Sequence, residues 1–129
     1  MEKLLEENAG RPVRAYVVWE PMLTTDWARP TSGVLARIRD ERAAQYWDPE
    51  HFVARRLKAE LDRHPDYPEP GCCEDKGILW DMMAIFPAGV KWEESLPRPA
   101  LLRGPVWKVA EARGTVARLL QEPAPNPTN

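Results

Sequence analysis

Apolar and polar residues alternate along this chain in short blocks, which predict an α/β fold. Residues 13–19 are rich in β-branched and aromatic side chains and predict a first strand. After a proline-broken loop at residues 20–30, Thr31 or Ser32 can cap a helix, and residues 43–47 predict a second strand. The pattern therefore begins with a strand, a helix and a strand, and two strands joined through a helix are expected to pair in parallel.

The middle of the chain predicts a longer helix and then the most apolar strand. Asp48-Pro49-Glu50 supplies a capping acid and a first-turn proline for a helix that ends before Pro65. Its apolar stripe is predicted to consist of Phe52, Val53, Leu57 and Leu61. Residues 79–86 are apolar on both sides except for Asp81, as in a strand that is covered on both faces.

The last third predicts a hairpin and a closing helix. A turn after residue 86 leads into an edge strand at residues 90–92, and residues 106–120 predict mainly helix with a break at Gly114. Residues 1–11 are expected to form a frayed N-terminal arm or a short helix, and residues 122–129 a disordered proline-rich tail. Residues 12–121 are then one domain.

This order of elements resembles the minimal thioredoxin fold. The segments Val17-Val18-Trp19-Glu20-Pro21, Thr25-Asp26-Trp27, Gln45-Tyr46-Trp47-Asp48 and Ile78-Leu79-Trp80-Asp81 also resemble an uncharacterised bacterial family that is described as thioredoxin-like. The resemblance covers residues 12–120 and implies a central four-stranded mixed sheet in the order βαβαββα, with helices on both faces. It departs from thioredoxins where they carry Cys-x-x-Cys, because residues 20–30 contain no cysteine. Disulfide exchange through that motif is excluded.

Composition narrows the classes of partner. The chain has 129 residues and a formal net charge of -2, which gives no electrostatic footprint for nucleic acid or an anionic membrane. No run approaches the roughly 18 apolar residues of a membrane span, and the N-terminus lacks the apolar core of a signal peptide. We therefore expect a cytoplasmic protein without a cofactor. Its partner would be a small molecule, another protein or a second copy of the chain.

The only two cysteines, Cys72 and Cys73, are adjacent and directly precede the most apolar strand. A disulfide between neighbours is strained and readily reduced, so in the cytoplasm the pair is expected to be free thiols, a redox pair or ligands for a soft ion such as Hg(II), As(III) or Cu(I). Either cysteine could also act as the nucleophile of an enzyme that handles peroxides or disulfides. The simplest alternative is two inert thiols. A zinc site that adds His64 and either Asp66 or Glu69 lacks the usual ligand spacing.

Asp81 is the other candidate for chemistry, because a carboxylate within an apolar strand either finds a hydrogen-bond partner or has a raised pKa. In the fold that the chain resembles, the end of the first strand lies beside the start of the third. The resemblance thus implies a cleft between residues 20–27 and 71–75. The candidate catalytic residues are Cys72, Cys73 and Asp81. The candidate binding residues are Trp19, Glu20, Asp26 and Trp27. The remaining alternative is a structural domain that binds a partner through its tryptophans.

Overall fold

A computed structural model describes residues 1–25 and 27–122. It contains four α-helices, six short strands and one 3₁₀ helix in the described part. The helices are α1 (Glu2–Glu7), α2 (Ser32–Leu35), α3 (Phe52–Arg63) and α4 (Ala112–Leu119), and the 3₁₀ turn is Val106–Lys108. The strands are β1 (Ala15–Trp19), β2 (Ala43–Trp47), β3 (Glu74–Asp75), β4 (Ile78–Leu79), β5 (Met83–Ile85) and β6 (Leu101–Arg103). The chain divides into two compact units, residues 1–53 and 54–129.

The first unit is built on the parallel pair β1–β2, which confirms the predicted strand–helix–strand unit. The register joins Ala15 to Ala43 and Trp19 to Trp47. Thr31 caps the crossover helix α2, because its hydroxyl accepts a hydrogen bond from the backbone amide of Val34. The prediction for residues 43–47 is confirmed residue for residue.

Arg42 holds helix α1 beside this strand pair. Its guanidinium donates to the carbonyls of Leu5 and Asn8 at 2.6 and 2.7 Å and pairs with the carboxylate of Asp40. The hydrogen bonds from Arg42 lower the pKa of Asp40 to about 2. Leu5 is buried, so the first residues form a packed helix as well as an arm.

The second unit contains the hairpin β3–β4, the antiparallel pair β5–β6 and helix α4. Its buried apolar residues include Leu79, Met83, Leu96, Leu102 and Val116. Helix α3 ends at Arg63, before Pro65 as predicted, but the predicted apolar stripe is wrong. Phe52 is 73% exposed, and the buried residues of α3 are Ala54 and Glu60.

Glu60 is a fully buried carboxylate that organises the contacts of α3. It accepts hydrogen bonds from the amide of Leu96 at 3.1 Å and from Arg63 at 2.8 Å, and it pairs with Arg56 at 2.9 Å. The Leu96 amide and then the two arginines lower its pKa against the opposing effect of burial. A buried charge is tolerated here because it is paired and hydrogen-bonded.

The predicted central four-stranded sheet is wrong. The strands form three separate two-stranded ladders, β1–β2, β3–β4 and β5–β6. The predicted strand over residues 79–86 is interrupted at Asp81, whose φ of 56° is incompatible with extended backbone. It becomes β4 and β5, which pair with different partners. A sheet with helices on both faces is therefore not formed.

The predicted hairpin with residues 90–92 is also wrong. Val90 and Trp92 are exposed, and β5 pairs instead with β6, placing Ala84 opposite Leu102. Leu102 is 1% exposed, so β6 contributes a buried apolar side chain next to β5, whereas Val90 and Trp92 remain exposed. Helix α4 runs through Gly114, and the break in this segment falls at residues 109–111 instead. The tail predicted to be disordered lies beyond the described residues, apart from Glu122.

Candidate functional site

Cys72 and Cys73 are joined to each other in a disulfide. Both residues are half-buried, at the start of the β3–β4 hairpin. The structure therefore contains the pair as a disulfide rather than as two free thiols. The described residues include no free cysteine.

The backbone around the disulfide adopts left-handed conformations at two positions. Gly71 has a φ of 79°, and Cys73 has a φ of 69°. A left-handed conformation costs a non-glycine residue about 1–2 kcal/mol, so the surroundings must hold Cys73 in place. The Arg103 side chain lies over Gly71, where a Cβ would come within 2.9 Å of Nη1. The positive φ favours glycine at position 71, whereas the flexible end of the Arg103 side chain could move away from a Cβ.

A tight hairpin follows directly after the cysteines. Lys76 and Gly77 form its two-residue loop with φ values of 49° and 76°, the backbone of a type I′ turn. Beyond the paired residues, the carbonyl of Cys73 accepts a hydrogen bond from the amide of Trp80 at 3.0 Å. The disulfide is thus fixed at the base of this hairpin.

Gly104, which follows β6, lies close to the Cys72 sulfur of the disulfide. Its amide donates to the carbonyl of Pro70 at 3.1 Å. A Cβ at this position would lie 2.7 Å from Met82 Sδ, 2.9 Å from Cys72 Sγ and 3.2 Å from the carbonyl oxygen of Asp81. Two segments, residues 70–72 and 81–82, therefore converge on a glycine that is distant from both in sequence.

Asp81 lies in the gap between β4 and β5. Its carbonyl accepts a hydrogen bond from the Val106 amide at 2.8 Å, while its Oδ2 is buried and has no hydrogen-bond partner among the described residues. Burial raises the pKa of the Asp81 carboxyl, and the Val106 amide partly opposes this shift. The structure places the backbone of Asp81 near Cys72 through their shared contact with Gly104.

The predicted binding residues lie in the first unit. Trp19 ends β1 and donates its indole N–H to a side chain of β2 at 3.0 Å. Glu20 follows it, with Oε2 at 3.4 Å from Nδ1 of His51. Trp27 is 87% exposed. Asp26 lies outside the described residues.

The predicted site residues are thus divided between the two units. The structure brings Cys72, Cys73 and the backbone of Asp81 together in the second unit. The cleft between residues 20–27 and 71–75 would need both units and stays a prediction.

The residues of the alternative zinc site have other partners. His64 stacks on Tyr67 with ring centroids 4.5 Å apart, and Asp66 pairs with Arg98 at 2.6 Å. Across residues 1–25 and 27–122, no group of three or more His, Cys, Asp or Glu side chains is placed to hold a metal ion.

Sequence reasoning missed three residues that surround the disulfide: Gly104, Met82 and Arg103. The Gly104-Pro105 pair could have marked a special backbone position, since glycine is often placed where another group approaches closely. Nothing in the local pattern distinguishes Met82 or Arg103. Their role depends on the pairing of β5 with β6.

Comparison with known proteins leaves the site to be argued from its own geometry. No protein-family model matches the chain, and no curated protein and no solved structure matches it either. Within the described part of the chain, no helix is both long and apolar enough to span a membrane.

Proposed function

We propose that this protein works as a thiol–disulfide protein whose Cys72–Cys73 pair alternates between a disulfide and two thiols. The observation that carries the proposal is a disulfide between sequence neighbours on a half-buried loop. A structural disulfide stabilises a protein mainly by closing a long loop in the unfolded chain. A bridge between neighbours closes almost none, so a stabilising role does not account for it.

The surroundings favour attack on one sulfur over the other. Cys72 Sγ faces the Cα of Gly104 at close range, which covers one side of that sulfur. An incoming thiolate would then reach Cys73 Sγ more easily, and Cys72 would leave as the thiolate. Access and the identity of the attacked sulfur both control the rate of such exchange.

The reaction requires two thiol groups from a reducing partner. The first partner thiolate attacks Cys73 Sγ, forms a mixed disulfide and releases the Cys72 thiolate, which takes up a proton. A second partner thiolate attacks the partner's sulfur in the mixed disulfide and releases the Cys73 thiolate, which is also protonated. Two electrons pass to the protein, and the partner leaves as a disulfide. Oxidation is the reverse, with a disulfide compound as the acceptor.

Thiol counting under a controlled redox buffer tests the proposal. The native protein is equilibrated with mixtures of reduced and oxidised glutathione, and free thiols are alkylated and counted by mass. We expect the number of free thiols per chain to change from none to two as the buffer becomes more reducing, while the protein stays monomeric. Cys72→Ser and Cys73→Ser should each keep one thiol and form a mixed disulfide with glutathione, faster for Cys72→Ser if Cys73 is the accessible sulfur.

Two results would count against the proposal. One is a native pair that stays unreacted over the whole range of buffers. The other is oxidation that yields only dimers linked between chains. The double variant Cys72→Ser/Cys73→Ser should show neither alkylation nor a transition and controls for nonspecific labelling.

A second candidate function is binding of a soft ion by the reduced pair. Met82 Sδ and Cys72 Sγ border the same glycine Cα, so a thioether lies on the same side of Gly104 as the Cys72 thiol. Thiolate and thioether ligands favour Cu(I). Met82→Leu should weaken Cu(I) uptake by the reduced protein and leave the glutathione transition unchanged. Uptake that is equal in Met82→Leu and in the unmodified chain would exclude Met82 as a ligand.

A further inference from the structure

A cavity of about 310 Å³ lies in the first unit, away from the two cysteines in sequence. It lies at the low end of the volumes of small-molecule pockets, which begin at about 300 Å³. Its base is the end of the parallel pair β1–β2, where Trp19 lies opposite Trp47. Leu35 of α2 and Pro30 of the preceding loop line it as well. Five of the seven lining residues are therefore aromatic or aliphatic, while the exposed surface of the lining is about equally polar and apolar.

Gln45, the amide side chain within this lining, already makes its hydrogen bonds to other parts of the first unit. Gln45 accepts the indole N–H of Trp19 at 3.0 Å through Oε1. Its Nε2 donates to the carbonyls of Leu35 and Ile38 at 3.0 and 3.2 Å. These bonds fix the orientation of both Trp19 and Gln45. Trp19 is therefore held in place before a ligand binds, which lowers the side-chain entropy that binding costs.

Among the described residues that line the cavity, Arg29 is the one that carries a charge. In the part of the chain that the structure describes, its guanidinium has no hydrogen bond, no ion pair and no stacking contact with a ring. An arginine fork matches a carboxylate in shape and charge, and a charge-assisted pair of this kind is among the stronger hydrogen bonds. The cation is available for a ligand rather than used by the fold.

From this combination we infer that the cavity binds a small aromatic carboxylate. Its ring would lie against Trp19 and Trp47, and its carboxylate would pair with Arg29. Stacked and edge-to-face contacts between rings contribute about 0.5–1.5 kcal/mol beyond the burial of area, which favours an aromatic body over an aliphatic one. The volume suits one ring or a fused pair. The inference does not depend on the proposed redox function.

Calorimetric titration with phenylacetate tests the inference on the full chain. Phenylacetamide keeps the ring without the charge, cyclohexylacetate keeps the charge without aromaticity, and acetate has no ring. We expect saturable one-to-one binding of phenylacetate, with weaker binding of all three analogues. The indole N–H signals of Trp19 and Trp47 should shift in nuclear magnetic resonance spectra during the same titration.

Two arginine variants separate the site from general charge effects. Arg29→Gln should weaken phenylacetate binding by about tenfold or more, as expected for the loss of one charge-assisted pair. Arg37→Gln removes the same charge from an exposed residue of the same unit that does not line the cavity, and it should leave binding unchanged. Cys72→Ser should also leave binding unchanged, which separates this site from the disulfide.

Three outcomes would overturn the inference. They are no saturable binding of phenylacetate, equal binding of phenylacetate and phenylacetamide, and equal weakening in Arg29→Gln and Arg37→Gln. Both arginines are exposed, so neither variant is expected to alter the fold. A circular dichroism spectrum identical to that of the unmodified chain would establish this for each.

Discussion

The parallel pair β1–β2 and the segment that carries the disulfide are built in different ways. The five-residue strands of the pair run in a continuous register from Ala15 to Trp19, whereas residues 71–86 hold only two- and three-residue strands. The second region also contains Cys73, Lys76 and Asp81 in left-handed conformations. Strained backbone persists only where the surroundings fix it.

This difference shows that the chain departs from its local backbone preferences in the disulfide segment rather than in the strand pair. In the strand pair, Gln45 satisfies three polar groups and the backbone is regular. In the disulfide segment, Oδ2 of Asp81 is buried without a hydrogen-bond partner among residues 1–25 and 27–122, and a Cβ at the neighbouring Gly104 would lie 2.9 Å from Cys72 Sγ. Natural sequences violate local rules mainly at functional sites, so this contrast favours the disulfide segment as the working part.

The largest expected difference is in the free energy of unfolding. It compares truncation of a buried side chain in β6, the partner of β5 in the disulfide segment, with truncation of an exposed one in β2. Leu102 in β6 is 1% exposed, and Leu102→Ala should lower the free energy of unfolding by about 2–5 kcal/mol through lost burial and a cavity. Tyr46 in β2 is 54% exposed, so Tyr46→Ala should lower it by less than about 1 kcal/mol. Urea unfolding followed by circular dichroism measures both. Equal losses would contradict the assignment of β6 to a buried core.

A glycine-to-alanine pair should sharpen the comparison through effects of opposite sign. Gly104→Ala places a Cβ against Met82 Sδ, Cys72 Sγ and a backbone carbonyl, and should cost about 1–3 kcal/mol. Gly33 lies in α2, where the nearest neighbour of a new Cβ outside the helix backbone would be Thr31 Oγ1 at 3.9 Å. Gly33→Ala should therefore stabilise by about 0.5–1 kcal/mol. Thermal unfolding of both variants measures this, and a stabilised Gly104→Ala would refute the close packing at the disulfide.

The contrast also explains what could be predicted from the sequence. Residues 43–47 carry a local pattern of strand-forming residues, and the helix between the strands implies parallel pairing, so both were correct. Residues 79–86 have an equally apolar pattern. There the outcome depends on Asp81, which adopts a conformation that no local periodicity encodes.

The candidate site was partly predictable for the same reason. Adjacent cysteines are visible in any reading of the chain, and Asp81 is conspicuous within an apolar run. Gly104 and Met82 join the cysteines only because β5 pairs with β6, a three-residue ladder set by the burial of Leu102. Pairing of such short strands is decided by tertiary contacts rather than by intrinsic preference.

The smallest expected changes in the free energy of unfolding come from replacing one aspartate in each unit with asparagine. Asp48 in the first unit is buried and accepts a hydrogen bond from the Val53 amide at 2.8 Å, whereas Oδ2 of Asp81 in the second has no hydrogen-bond partner in the described part of the chain. Asp48→Asn should lower the free energy of unfolding by about 0.5–1 kcal/mol, because an amide oxygen is a weaker acceptor than a carboxylate. Asp81→Asn should raise it by about 1 kcal/mol at neutral pH, because an ionised oxygen without a partner is no longer buried.

The pH dependence of the Asp81 variant gives the sharper test of this pair. Burial raises the pKa of Asp81 above its ordinary value of 3.8, so the folded chain binds more protons than the unfolded chain just above that pH. The contribution of Asp81 to stability is therefore present below pH 3.8 and is lost as the pH rises through the raised value. Asp81→Asn cannot lose it, so its advantage over the unmodified chain should grow across this interval and then stay constant. An advantage that is independent of pH, or a variant less stable at neutral pH, would show that the Asp81 carboxylate is not a buried unpaired charge.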